Sequence, residues 1–93
     1  MNYSLMFTPS ATQLFKKHQR KAQEQLDEKL IEVERDPYTA GEKLKGKYKR
    51  FYRTRSGDYR VVYDIQGAKL VVLVVVVGNR KEVYDLLDRA GLV

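Results

Sequence analysis

The run Leu70-Val71-Val72-Leu73-Val74-Val75-Val76-Val77 constrains this chain more than any other segment. It has eight consecutive apolar residues, six of them valine, and so offers no polar face to water. β-branched side chains favour extended backbone, and a strand without alternation is one buried on both faces. The run is far short of the roughly 20 apolar residues a membrane helix needs, so it reads as the central strand of a soluble fold. Its full extent is Lys69 to Val77, and two strand signals precede it, Tyr48 to Arg55 and Asp58 to Ile65. Ser56-Gly57 and Gln66 to Ala68 are the turns between them, which makes a three-stranded antiparallel meander.

Ahead of the meander, Tyr3 to Phe7 reads as a short first strand. A helix follows from Thr8-Pro9 or Ser10: proline suits a first helical position, and Ser10 with Gln13 fits a capping box. Ala11, Leu14, Phe15, His18, Ala22, Leu26, Leu30 and Val33 recur at helical spacing. They stop before Asp36-Pro37, because the residue ahead of proline avoids helical geometry. One straight helix of about 26 residues would be about 39 Å long, whereas a domain of this size is only about 30 Å across. The pattern is therefore read as a helical hairpin, broken around His18 to Lys21. Tyr38 to Gly46 is a loop. A final helix starts near Asn79, capped with Glu82, and buries Val83, Leu86, Leu87 and Ala90 before Gly91. The expected fold is α+β, one domain over residues 1–93, with an N-terminal strand, a helical hairpin, the meander and a C-terminal helix.

The net charge of +6 is concentrated in one place. Between Glu42 and Arg60 stand eight basic residues (Lys43, Lys45, Lys47, Lys49, Arg50, Arg53, Arg55 and Arg60) against only Glu42 and Asp58. The remainder has ten basic and ten acidic residues and is neutral. Such a segment suits a polyanion, or else is a solvated face that aids solubility. There is no cysteine, which excludes disulfides and thiolate metal sites and is compatible with a cytoplasmic protein. Met1 to Phe7 has no basic start ahead of a long apolar run, so no signal peptide is expected.

With Ser56-Gly57 as a two-residue loop, Arg53 would lie opposite Arg60, Arg55 opposite Asp58, Phe51 opposite Val62 and Lys49 opposite Asp64. The period of two puts Lys49, Phe51, Arg53 and Arg55 on the face of Arg60 and Val62, and leaves Tyr59, Val61, Tyr63 and Ile65 for the core. Facing arginines repel, an arrangement that makes sense around an anion such as phosphate; otherwise the two splay into water. Arg80 and Tyr84, four apart, would share one side of the last helix at the rim of its apolar stripe. Each also has an ordinary reading, Tyr84 in packing and Arg80 in solvent. His18, the only histidine, sits in a helical stretch and reads as half-buried rather than catalytic. With one histidine and scattered carboxylates, no cofactor or metal is expected, and phosphodiester chemistry would fall to arginine, lysine and tyrosine.

Three segments carry a resemblance: Lys43-Leu44-Lys45-Gly46; Tyr52-Arg53-Thr54-Arg55-Ser56-Gly57-Asp58-Tyr59-Arg60-Val61-Val62-Tyr63; and Val77-Gly78-Asn79-Arg80-Lys81-Glu82-Val83-Tyr84. They resemble the RelE toxins of the RelE/ParE superfamily, and the order of elements from Tyr3 to Ala90 agrees. The resemblance implies a toxin of a type II toxin–antitoxin system that enters the ribosomal A site and cuts mRNA there. The ribose 2′-hydroxyl would attack the neighbouring phosphate, leaving a cyclic phosphate and a free 5′-hydroxyl. It implies Arg60 on the scissile phosphate and Arg53 on the developing charge. Arg80 would serve the leaving oxygen and Tyr84 the 2′-hydroxyl, while Lys45, Lys47, Lys49, Arg50 and Arg55 bind RNA. Relatives often have lysine at the positions of Arg53 and Phe51, and Lys49 or Lys47 is the candidate to replace the latter. The implied partners are the ribosome with mRNA and a cognate antitoxin, RelB-like or other, through whose complex operator DNA is bound. Alternatives are a ParE-like toxin that poisons gyrase and a basic module that binds RNA or ribosomes without chemistry.

Overall fold

The computed structural model describes residues 2–92, so Met1 and Val93, the ends of the expected domain, lie outside the described residues. The chain runs β1 (Ser4–Phe7), α1 (Pro9–Lys16), α2 (Arg20–Arg35), α3 (Pro37–Ala40), β2 (Glu42–Lys43), β3 (Tyr52–Ser56), β4 (Tyr59–Gln66), β5 (Val71–Asn79) and α4 (Val83–Arg89). The five strands form one sheet in the order β1-β5-β4-β3-β2. β1 is parallel to β5, and the other pairings are antiparallel. The apolar run is a central strand from Val71 on, and Val72 and Val74 through Gly78 are all buried. Lys69 and Leu70, expected in the strand, lie instead in the turn ahead of it, with Leu70 at a positive φ of 54°.

Helices cover both faces of the sheet. On one face Ala11 of α1 and Leu26, Leu30 and Val33 of α2 pack on Val61, Tyr63, Val72, Val74 and Val77. On the other, Val83 and Leu87 of α4 pack with Leu44 and Phe51 on Val62, Val75 and Val76. A bulge makes this possible: Val62 pairs with Val76 and Tyr63 with Val74, so Val75 is the extra residue and joins Val76 on the α4 face.

The helical break falls at residues 17–19, between α1 and α2. No glycine or proline marks it. The Gln23 side-chain amide donates to the carbonyls of Lys16 (3.2 Å) and His18 (2.8 Å), which have no helical partner. The first helix is capped by Thr8, whose Oγ1 accepts from Ala11 N at 3.1 Å, and not by Ser10. The expected loop from Tyr38 also contains structure. Asp36 caps α3 with Pro37 at its first position, and Glu42 and Lys43 pair with Arg53 and Tyr52 as an edge strand. Both are corrections to the sequence reading.

Three further corrections concern the meander and the last helix. β3 begins at Tyr52 rather than Tyr48, because Gly46 takes a positive φ of 64° and opens a tight turn over Gly46–Tyr48 that carries Lys49 and Arg50 out of the ladder. The hairpin loop is Gly57-Asp58, not Ser56-Gly57, so Ser56 faces Tyr59, Arg55 faces Arg60 and Arg53 faces Val62. Only the first loop residue, Gly57, has a positive φ (59°), the pattern of a type II′ turn, which needs glycine first. The shift is two residues, so the side chains that remain in the ladder, Arg53 and Arg60 among them, keep their expected face. Finally, α4 starts at Val83, four residues after Asn79, and Ala90 is exposed rather than buried.

Candidate active site

The meander and α4 bring the expected residues to one edge of the molecule. Arg53 and Arg60 stand on the α4 face of β3 and β4, in diagonal rather than facing positions. The guanidinium of Arg53 donates from Nη1 to the Tyr84 hydroxyl at 3.0 Å and from Nη2 to Glu42 Oε2 at 3.2 Å. Arg60 donates from Nη1 to the carbonyls of Gly57 (2.9 Å) and Tyr59 (3.0 Å), which pins it to the hairpin end. Its guanidinium is pushed below the ordinary arginine value, first by partial burial and then by the charges of Arg53, Arg55 and Arg80, with Asp58 opposing. Several cations thus lie within Coulombic reach of Arg60, with Asp58 the acid that opposes them.

Arg80 is not on the last helix with Tyr84 but in the turn ahead of it, exposed to solvent. Asn79 builds that turn. Its Oδ1 accepts from the backbone N–H of Lys81 (2.9 Å) and Glu82 (3.1 Å), while Glu82 Oε1 accepts from Asn79 N at 3.2 Å. The expected capping box therefore forms, around a turn rather than a helix start. The Arg80 N–H donates to Asp58 O at 2.9 Å, stitching the turn to the hairpin loop. A Cβ on Gly78, opposite Arg60, would meet Glu82 Oε1 at 2.9 Å and Leu86 Cδ1 at 3.0 Å, so those side chains would have to shift.

The basic residues ahead of β3 divide. Lys45 borders an open cavity of about 390 Å³ together with Lys43, Tyr48, Arg53 and Tyr84. Lys47 Nζ lies 3.2 Å from Asp88 Oδ1, and that carboxylate holds the ammonium above its usual range. Arg50 lies over the Phe51 ring (4.9 Å) and 3.5 Å from Asp64, taking the acid expected opposite Lys49. Lys49 is exposed in the turn, and Arg55 is exposed on β3 opposite Arg60. Phe51 is fully buried in the α4-side core. Two residues at the site went unnoticed in the sequence. Glu42 had counted only as one of two acids in a basic stretch, and Tyr48 had been placed in a strand.

His18 is half-buried, as expected, with its ring 4.5 Å from that of Tyr59 and its Nε2 buried without a hydrogen-bond partner. Its imidazole titrates below the ordinary value because burial disfavours the cation; Lys17 adds to the effect and Glu82 opposes it. Among the described residues no helix is long and apolar enough to cross a membrane.

A profile of the family described as "ParE toxin of type II toxin-antitoxin system, parDE" matches residues 5–84. The mRNA interferase toxin RelE of Escherichia coli (strain K12) is 39% identical over 90 residues, spanning 91% of this chain and 93% of the relative. A variant of E. coli toxin RelE solved in the free state superposes with a TM-score of 0.78 at 35% identity, covering 97% of this chain and 98% of that one. The toxin in the intact E. coli RelBE toxin–antitoxin complex gives 0.73 at 37% identity, over 83% of this chain and 95% of that one. With a profile match over most of its length and a RelE at 39% identity over nine-tenths of it, this chain belongs to the RelE/ParE superfamily of type II toxin–antitoxin toxins, as a RelE-type member.

Proposed function

We propose that this protein is a ribosome-dependent mRNA endoribonuclease, the toxin of a type II toxin–antitoxin pair, which cuts mRNA in the ribosomal A site and stops translation. The observation that carries the reading is the Arg53–Tyr84 hydrogen bond of 3.0 Å, with the charges of Arg53, Arg55 and Arg80 all within reach of Arg60. A transesterification at phosphorus needs a group to direct the nucleophile, cations for the charge that builds on the phosphoryl oxygens, and help for the leaving oxygen. In this reading the Tyr84 hydroxyl, with one lone pair taken by Arg53, keeps a lone pair and its proton for the ribose 2′-hydroxyl. That hydroxyl attacks the adjacent phosphorus and the bond to the 5′-oxygen breaks, giving a cyclic phosphate and a 5′-hydroxyl. Arg60 holds the scissile phosphate, Arg53 takes the developing charge and Arg80 supports the departing oxygen. No cofactor or metal is invoked.

Lys45, Lys49 and Arg55, exposed along the same basic stretch, would contact the RNA backbone; Lys47 and Arg50 would do so after leaving Asp88 and Asp64. Free tyrosine titrates near 10 and arginine above about 12, so neither is an efficient acid or base at neutral pH. Orientation of the mRNA by the ribosome then supplies much of the rate, and naked RNA is cut poorly. The RelE–RelB complex of E. coli supports a cognate antitoxin as partner; in this reading operator DNA is reached only through such a complex. In this reading the protein acts in the cytoplasm, where ribosomes translate mRNA.

The test is a translation reaction with the mRNA 5′ ends mapped. Codon-phased cuts that appear only with ribosomes bear the proposal out, and equal cutting of ribosome-free RNA defeats it. The ParE-type profile match favours a second reading, a gyrase poison. Inhibition of DNA supercoiling with intact mRNA would establish that reading instead.

A further inference from the structure

We propose that Tyr48 and Asp88 are positioning residues that hold the Tyr84 hydroxyl against Arg53. The proposal rests on the reading of Tyr84 as the group that directs the 2′-hydroxyl. α4 has seven residues, buries only Val83 and Leu87, and its N-cap residue Glu82 makes no side-chain cap hydrogen bond. A helix of two turns does not support itself in water, so tertiary contacts set its position. Val83 and Leu87, with half-buried Leu86, fasten one side of it to the core, and the side that carries Tyr84 and Asp88 faces the turn ahead of β3. Tyr84 stands at the rim beside Val83, where a small rotation would swing its hydroxyl off Arg53.

The opposing restraint comes from the tight turn over Gly46–Tyr48. The Tyr48 ring packs against the Tyr84 ring with centroids 5.1 Å apart and planes at 47°. Its hydroxyl donates to Asp88 Oδ1 at 3.0 Å. Tyr84 and Asp88 are four residues apart and lie on one face of α4. Tyr48 therefore touches two points a helical turn apart, with its ring on one and its hydroxyl on the other. This contact restrains α4 on a side that Val83, Leu86 and Leu87 do not cover, the side from which Tyr84 reaches Arg53. Lys47 reaches the same carboxylate oxygen at 3.2 Å, but with side chains 61% and 42% exposed this ion pair is screened and adds little. The hydrogen bond from Tyr48 is exposed too, but it is made by a ring already packed on Tyr84, so less ordering is needed to form it.

The test uses the whole purified toxin with four variants: Tyr48→Phe, Asp88→Ala, Asp88→Asn and Tyr48→Phe in a Tyr84→Phe background. Tyr48→Phe keeps the packed ring and so should leave the fold intact. Single-turnover cleavage on saturating programmed ribosomes should slow about three- to tenfold in Tyr48→Phe and Asp88→Ala, the usual size of such couplings. The half-saturating ribosome concentration should not change. Asp88→Asn keeps an acceptor for Tyr48 and should cut at the wild-type rate. In the Tyr84→Phe background, Tyr48→Phe should have no further effect; an undiminished effect there overturns the proposal. With 13C-labelled tyrosine, the Tyr84 ring resonances of the free toxin should shift or broaden in Tyr48→Phe and Asp88→Ala, and unmoved resonances would also overturn it. If Tyr84→Phe alone cuts at the wild-type rate, the catalytic reading of Tyr84 fails, and the ring resonances still decide whether Tyr48 and Asp88 hold it.

Discussion

Arg53 and Tyr84, 31 positions apart in the chain, meet through a 3.0 Å hydrogen bond from the guanidinium to the phenolic oxygen. Tyr84→Phe keeps the ring on Tyr48 and removes the hydroxyl alone. Cleavage on programmed ribosomes should fall about a hundredfold in kcat, the lower range for loss of a proton-transfer group, with KM little changed. A variant that keeps its kcat would remove Tyr84 from the chemistry.

Arg60 is held by the carbonyls of Gly57 and Tyr59, so truncation leaves two acceptors near water and little structural damage. Arg60→Ala should lower cleavage about a hundred- to a thousandfold, as for loss of one charge-stabilising donor, while co-sedimentation with ribosomes persists. Retained toxicity without cleaved ends would instead favour a module that binds and does not cut.

Glu42 occupies one edge of the Arg53 guanidinium, and a substrate phosphate must compete with it. The carboxylate is 72% exposed, so the contact is weak. Glu42→Gln should lower KM by about two- to fivefold at low salt, a gain that shrinks as salt is added. An unchanged KM at low ionic strength would show that Arg53 is not a phosphate ligand.

Tyr63 is fully buried and its hydroxyl donates to the Pro37 carbonyl at 2.7 Å. Burial first, and then Tyr52 and Asp36, drive its phenol far above the ordinary range, so it is a neutral donor at any working pH. Tyr63→Phe strands that carbonyl and should cost about 1–3 kcal/mol in urea unfolding, with the denaturant slope preserved. A cost near zero would mean that water reaches Pro37.

The imidazole of His18 titrates below its unfolded value of about 6.5 because burial disfavours the charged form. Below that value the unfolded chain binds more protons than the folded one, so stability is retained at higher pH and lost as pH falls through about 6.5. His18→Gln should reduce the difference in urea midpoint between pH 8 and pH 5. The same difference in both proteins would assign the acid sensitivity to other groups.

Much of this was legible in the sequence, for physical reasons that differ by region. The run from Leu70 to Val77 left no alternative to a doubly covered strand, and the length of the helical pattern forced a break that Gln23, a residue with no breaker reputation, then stabilises. The faces of Arg53 and Arg60 came through a register error intact, because Gly57 serves at either position of a two-residue loop and the error was an even number of residues. α3 was readable and missed: Asp36 followed by Pro37 is a helix start as well as a stop. Tyr48, Lys49 and Arg50 were not readable as a turn, since nothing in the sequence announces the positive φ at Gly46. The partnership of Glu42 with Arg53 depends on a two-residue edge strand, too short for any periodicity to reveal.

The parallel pairing of β1 with β5 joins Ser4 to Val71 and Phe7 to Val74 across most of the chain. Closing so long a loop costs more entropy than forming the hairpins of the meander, so this pairing belongs to the late part of folding. Arg53, Arg60 and Arg80 all sit within the locally connected part, which can condense before β1 docks. Substitutions in β1 should therefore speed unfolding while leaving the refolding rate nearly untouched. A weakened β1 should thus shorten the time for which the native toxin, once without its antitoxin, stays dangerous, although this edge strand is the one farthest in sequence from the arginines.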